Sequence, residues 1–333
     1  MRRKPFIRAV SIAITAILAV SVLFGCSGQS MKEQERTSFL FDTIISIKLR
    51  CDNDAESVLD DVFSLCEHYN SLFDRYDPES DIYRINHSEG LPCEVNPETA
   101  EMLSAALDYS RLSGGRYDIS CGSVTILWDF TSDVPLLPDP SALESALETV
   151  GFENVIIDGC TVTVPQGTEL DPGGIAKGFI ADKAADFIRS AGVESAVINL
   201  GGNVCVVGDK DGQPFKVGIQ SPFESGSIGY VSVTDCSVVT AGSYQRCFEL
   251  DGTLYHHILD LTDGMPSRSG VASVTIISRS SAQADALATA CFIMGVEDGM
   301  TLIDSLEGVE AIFVTEDGEV CMTDGARAVT ALY

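Results

Sequence analysis

From residue 196 to residue 278 the chain carries strand after strand, at 196–199, 204–207, 214–220, 229–234, 247–250 and 271–278, with no helical pattern between them. Helical spacing brackets that run. It appears over 55–76, where Val58, Leu59, Val62, Phe63, Leu65, Cys66, Tyr69, Leu72 and Phe73 share a face, and from Pro97, after a cap at Asn96, to the Gly114-Gly115 stop. It recurs at about 139–150, about 176–191, 281–294 and near 297–306, ahead of a last strand at 310–315. Residues 39–50 alternate as a strand, and 154–164 read as a hairpin turned at Asp158-Gly159. Helices and strands interleave without a βαβ rhythm. The class is therefore α+β, one large mixed domain of mostly antiparallel strands. Pro135 to Pro140 reads as a loop that decorates this domain rather than dividing it.

The N-terminus is of a different kind. Arg2, Arg3, Lys4 and Arg8 precede an uncharged run of 16 residues, 9–24, short of the roughly 20 that a spanning helix needs. The run ends in Leu23-Phe24-Gly25-Cys26, followed by the small polar stretch Ser27-Gly28-Gln29-Ser30. This resembles a bacterial lipoprotein signal, with 1–25 removed, Cys26 diacylated, 26–37 a tether and 38–333 the working domain. Two acyl chains anchor stably where one is marginal. The expected location is the cell membrane, lipid-anchored on the extracytoplasmic face. The alternative is an uncleaved anchor helix, or a signal with a coincidental cysteine, and either puts the domain in the same compartment.

The chain holds 49 Asp+Glu against 21 Lys+Arg, a formal charge of −28. Such a surface repels nucleic acid and anionic headgroups. A phosphorylated ligand would then need a metal or a dedicated Lys to receive it. Ten cysteines follow Cys26 with no CxxC spacing, and none pairs with a His at zinc-site spacing. They read either as a disulfide framework of unreadable pairing or as buried thiols, with Cys66 and Cys291 as small core residues.

Four constellations can carry chemistry. Asp171-Pro172-Gly173-Gly174-Ile175-Ala176-Lys177-Gly178 is a glycine turn opening onto a helix; it suits a phosphate, or it is a plain strand–turn–helix corner. Asp285 and Thr289 lie one turn apart in an alanine-rich helix, either as oxygen ligands for a hard cation such as Mg²⁺ or as a buried hydrogen-bonded pair. Thr240–Arg246 leads to His256-His257 and the turn Asp260–Pro266, where one histidine of the pair points inward and the other outward, as a general base or as a surface residue. Asn199–Asn203 with Gln220-Ser221-Pro222 offers glycines for close ligand approach, or bulges.

In order and spacing these motifs resemble the FAD:protein FMN transferase (ApbE-type flavin transferase) family, from Phe41-Asp42-Thr43 to about Gly295. The resemblance implies an ApbE-like fold and Mg²⁺-dependent transfer of FMN from FAD, through a phosphoester, to a Thr or Ser hydroxyl of an acceptor flavoprotein, with AMP released. It implies Mg²⁺ ligation by Gly174, Asp285 and Thr289. It implies FAD contacts from Phe41, Tyr76, Arg116, Tyr117, Asp118, Asp171, Lys177 and Ile258, with His257 and Lys177 catalytic. Acceptors of the kind it suggests are redox-pump subunits and extracellular electron-transfer flavoproteins. The sequence departs from the family pattern at Phe41, at Ala241 (where Thr-Ser-Gly is usual), and at Asp263 and Met265; no presumed metal ligand is lost. Two other readings stand beside it, an FAD diphosphatase giving FMN and AMP and a non-catalytic flavin-binding lipoprotein. Tyr76, an aromatic suited to stacking on flavin and restricting water, favours the transferase.

Overall fold

The computed structural model describes residues 32–51, 54–130 and 136–333; the signal-like segment, Cys26 and Pro135 lie outside them. Eight strands form the main sheet, in spatial order Lys32–Leu40, Thr43–Cys51, Ser195–Leu200, Asn203–Val207, Cys236–Gly242, Val271–Ser278, Glu310–Thr315 and Val320–Met322. From Thr43–Cys51 onward every pairing is antiparallel. All eight residues of Val271–Ser278 are buried, as a central strand covered on both faces requires.

Alternation along the central strands splits the core. Val239 and Ile276 pack with Ala284, Leu287, Ala288 and Phe292 of the long helix Ser281–Asp304. Their neighbours Val238 and Ile277 face the other way, onto Phe215, Ile219 and Val231 of a three-stranded sheet, Phe215–Gln220, Ser227–Val233 and Thr330–Leu332. On the helical side the long helix lies against a second one, Ala176–Ser190, which we call the corner helix. A Cβ on Gly178 would lie 2.3 Å from the Ser281 carbonyl oxygen, so only glycine lets the two backbones approach this closely. The long helix breaks at Gly295, whose φ is 82°, between the two helical segments expected from sequence.

Several elements differ from expectation. The stretch 39–50 is a hairpin rather than one strand: the chain turns at Phe41 and Asp42 (φ 56° and 55°). Its first strand begins at Lys32, inside the stretch read as a tether up to residue 37. Cys236–Gly242, in the middle of the main sheet, was not foreseen as a strand, nor was the helix Asp81–Asn86. Asn96 precedes the helix Pro97–Leu112 without capping it, because its backbone N–H and side-chain amide both donate to Asp81. The 154–164 hairpin forms as read, pairing Asp158 with Thr161. Cys66 and Cys291 are fully buried, and burial pushes both thiols up to about 12. They are free thiols, as are Cys93, Cys121, Cys160, Cys205, Cys236, Cys247 and Cys321.

Candidate functional site

The glycine corner is built by its first residue. Asp171 accepts from the Gly173 N–H at 2.9 Å, closing the tight turn Pro172–Gly174 from which the corner helix departs. Its other oxygen accepts from Arg75 Nη1 at 2.8 Å and from the Thr125 hydroxyl at 2.6 Å. Burial opposes charge on Asp171, but Arg75, Thr125 and the Gly173 N–H outweigh it and hold the carboxyl below the usual range. The same guanidinium donates from Nη2 to the Gly122 carbonyl at 3.0 Å and to Glu169 at 2.9 Å. Arg75, Thr125 and Glu169 were not singled out from sequence.

Four of the expected residues converge at Gly174. A Cβ there would lie 3.0 Å from the Tyr117 ring and 3.6 Å from Thr289 Oγ1. Asp285 Oδ2 accepts from the Gly178 N–H at 3.0 Å, with Lys177 Nζ 4.0 Å from the same oxygen. Lys177 donates to the Gly173 carbonyl at 3.1 Å. Among the described residues, Asp285 Oδ1 and the Thr289 hydroxyl accept or donate no hydrogen bond. The Tyr117 hydroxyl is buried without a partner, and burial, reinforced by the carboxylates of Asp285 and Asp171, raises its pKa well above the usual value. A carboxylate and a hydroxyl beside a side-chain-free position, with the Gly173 carbonyl close by, are oxygen donors of the kind that suit a hard divalent cation.

The adjacent histidines divide their work. His256 is buried edge-on to Phe292; its Nε2 lies 3.2 Å from the Ser267 carbonyl and its Nδ1 accepts from the Ile258 N–H at 3.3 Å. It is a structural residue. His257 is half-buried, its Nδ1 enclosed with no partner. Burial lowers both to about 4; for His257 the positive charges of Arg246 and Lys177 add to it. At neutral pH both rings are uncharged.

The remaining expected residues are placed unevenly. Tyr76 is 66% exposed, a free aromatic face with the Arg75 guanidinium 5.6 Å from its ring centre. Phe41 is half-buried in its hairpin turn. Arg116 lies 3.8 Å from Asp260. Asp118 is turned away: it accepts from Ser120 and from the Phe152 N–H. The Ile258 side chain is in the core with Val239 and Leu287, so neither the Asp118 nor the Ile258 side chain is free to meet a ligand. Gly201 and Gly202 form the tight turn between two main-sheet strands, where Asn199 Oδ1 accepts from the Gly202 N–H. Thr240 bonds Thr275 across the sheet, on the face away from the long helix.

The fold is that of the solved ApbE structures. It matches the ApbE protein of Thermotoga maritima with a TM-score of 0.84 at 30% identity, over 90% of this chain and 99% of that one. It matches the flavin transferase ApbE of Vibrio cholerae at 0.82 and 26%, with the same coverage. The ApbE family pattern spans residues 41–313. Curated relatives named FAD:protein FMN transferase are 34% identical in Treponema pallidum, over 90% of each chain, and 34% in Klebsiella pneumoniae, over 82% of this chain and 86% of that protein. The chain belongs to the ApbE family.

Proposed function

We propose that this protein is an FAD:protein FMN transferase that moves FMN from FAD to a Thr or Ser hydroxyl of an acceptor flavoprotein, releasing AMP, with Mg²⁺ held by Asp285, Thr289 and the Gly174 carbonyl. One observation carries the reading: the unbonded Thr289 hydroxyl and the free Asp285 oxygen meet at the glycine corner, beside Lys177. A divalent cation there neutralises diphosphate charge in a protein already at −28. Lys177, tied to the corner by the Gly173 carbonyl, places an ammonium beside the leaving AMP phosphate. The acceptor oxygen forms its bond to the FMN phosphorus, and the bond from that phosphorus to the bridging oxygen breaks, the oxygen leaving with AMP. His257, neutral because burial lowers it to about 4, takes the hydroxyl proton. Tyr76 supplies an aromatic face for the isoalloxazine and limits access of water, which favours transfer over hydrolysis.

The sequence at Leu23–Cys26 supports a lipid anchor on the extracytoplasmic face of the membrane. The test of function is incubation with FAD, Mg²⁺ and a candidate acceptor, read as covalent flavin fluorescence on the denatured acceptor. Fluorescence on the acceptor with AMP released supports the reading. Free FMN formed equally fast with and without acceptor overturns it in favour of a diphosphatase.

A further inference from the structure

Arg75 reaches both the glycine corner, through Asp171, and the ring of Tyr76. Its side chain is 9% exposed, and its two terminal nitrogens make four hydrogen bonds, to Asp171 and Thr125 through Nη1 and to Gly122 and Glu169 through Nη2. Three separate stretches of chain are thereby held by one planar group: the segment after the first helix, the short helix Gly122–Thr125 and the segment 169–171 leading into the glycine corner. The next residue is Tyr76, whose exposed ring has that guanidinium 5.6 Å from its centre. The ring's backbone is pinned by its own N–H, which donates to Asp74 at 2.9 Å.

The consequence is mechanical. Asp171 closes the turn that sets the direction of the Gly173 and Gly174 carbonyls, and Arg75 fixes Asp171. A fork with fixed geometry cannot shift at one end without shifting at the other. We propose that Arg75 is a positioning residue that couples the Tyr76 plate to the glycine corner, so that filling the cation site strengthens flavin binding and the reverse. This rests on the function proposed above, since it takes FAD and a divalent cation as the two ligands. Arg75 touches neither; it acts by keeping the aromatic surface and the oxygen donors in one register.

Linkage makes the coupling measurable without turnover. FAD affinity is read from quenching of flavin fluorescence on the whole chain, with saturating Mg²⁺ and with chelator, for wild type, Arg75→Gln and Arg75→Lys. In wild type Mg²⁺ tightens FAD binding by about tenfold, within the usual range for coupled sites. In Arg75→Lys, which keeps the charge but loses the fork, the factor falls below about threefold, while FAD still binds in the absence of metal. Arg75→Gln behaves the same if it folds; the Lys variant carries the test if it does not. Wild-type coupling that persists in Arg75→Lys overturns the role of Arg75 alone. Wild-type FAD affinity indifferent to Mg²⁺ overturns the underlying reading of the site as well.

Discussion

The Gly178 amide donates to Asp285 Oδ2 across 3.0 Å, joining the first turn of the corner helix to the carboxylate of the long helix. The bond exists only because residue 178 has no side chain. Gly178→Ala improves helix propensity by about 1 kcal/mol, but its methyl would stand 2.3 Å from the Ser281 carbonyl oxygen and 2.7 Å from Ala282 Cα, both backbone atoms. Overpacking against backbone wins. We expect a net loss of about 1–3 kcal/mol, read as a lower urea midpoint, together with weaker Mg²⁺-dependent transfer because Asp285 moves with the helix.

Asp285→Asn separates structure from chemistry. The amide oxygen still accepts from Gly178, so the melting temperature changes little. The charge that would hold the cation is gone, and transfer activity falls by at least about 100-fold. Circular dichroism and the acceptor fluorescence assay, run on the same preparation, check both halves. An active Asp285→Asn enzyme contradicts the metal assignment.

Much of this was readable in the sequence, for identifiable reasons. Gly295 marks a helix break because glycine alone accepts a φ of 82° without strain, and Asp158-Gly159 marks a hairpin by its turn chemistry. The Phe41-Asp42 turn carries no such mark: two positive φ angles fall on residues that rarely adopt them, so one strand was read where two exist. Cys236–Gly242 was hidden for another reason. Buried on both faces, it shows no alternation, and its end reads as a motif. At the site, Asp285 and Thr289 were legible because helical spacing fixes their proximity. Arg75 was not, since its partners lie 47 to 96 residues away and only the tertiary fold brings them to it. Asp118 and Ile258 matched a motif, but a motif does not reveal which way a side chain points.

Tyr76→Ala tests the aromatic plate. The ring is 66% exposed and contributes little to the core, so stability stays within about 0.5 kcal/mol of wild type. Loss of stacking raises the KM for FAD roughly tenfold. Free FMN also rises relative to acceptor-bound flavin, measured by chromatography of the products.

The two histidines set an acid limit on stability. Both titrate at about 4 when folded, against about 6.5 in an unfolded chain. Between those values the unfolded state binds more protons, so stability rises with pH through the window and is lost as pH falls from 6.5 toward 4. Urea midpoints at pH 7 and pH 5 should differ in that direction, and His257→Asn should remove its share of the difference. A midpoint that rises on acidification contradicts the assignment of buried neutral rings.

Calorimetric titration of FAD into wild type and Asp285→Asn, each with excess Mg²⁺ and with chelator, probes the cation bridge most directly. The account predicts that chelation weakens wild-type binding by about tenfold or more and leaves the Asp285→Asn isotherm unchanged. Identical wild-type isotherms under both conditions, or a magnesium response that survives in Asp285→Asn, would contradict it.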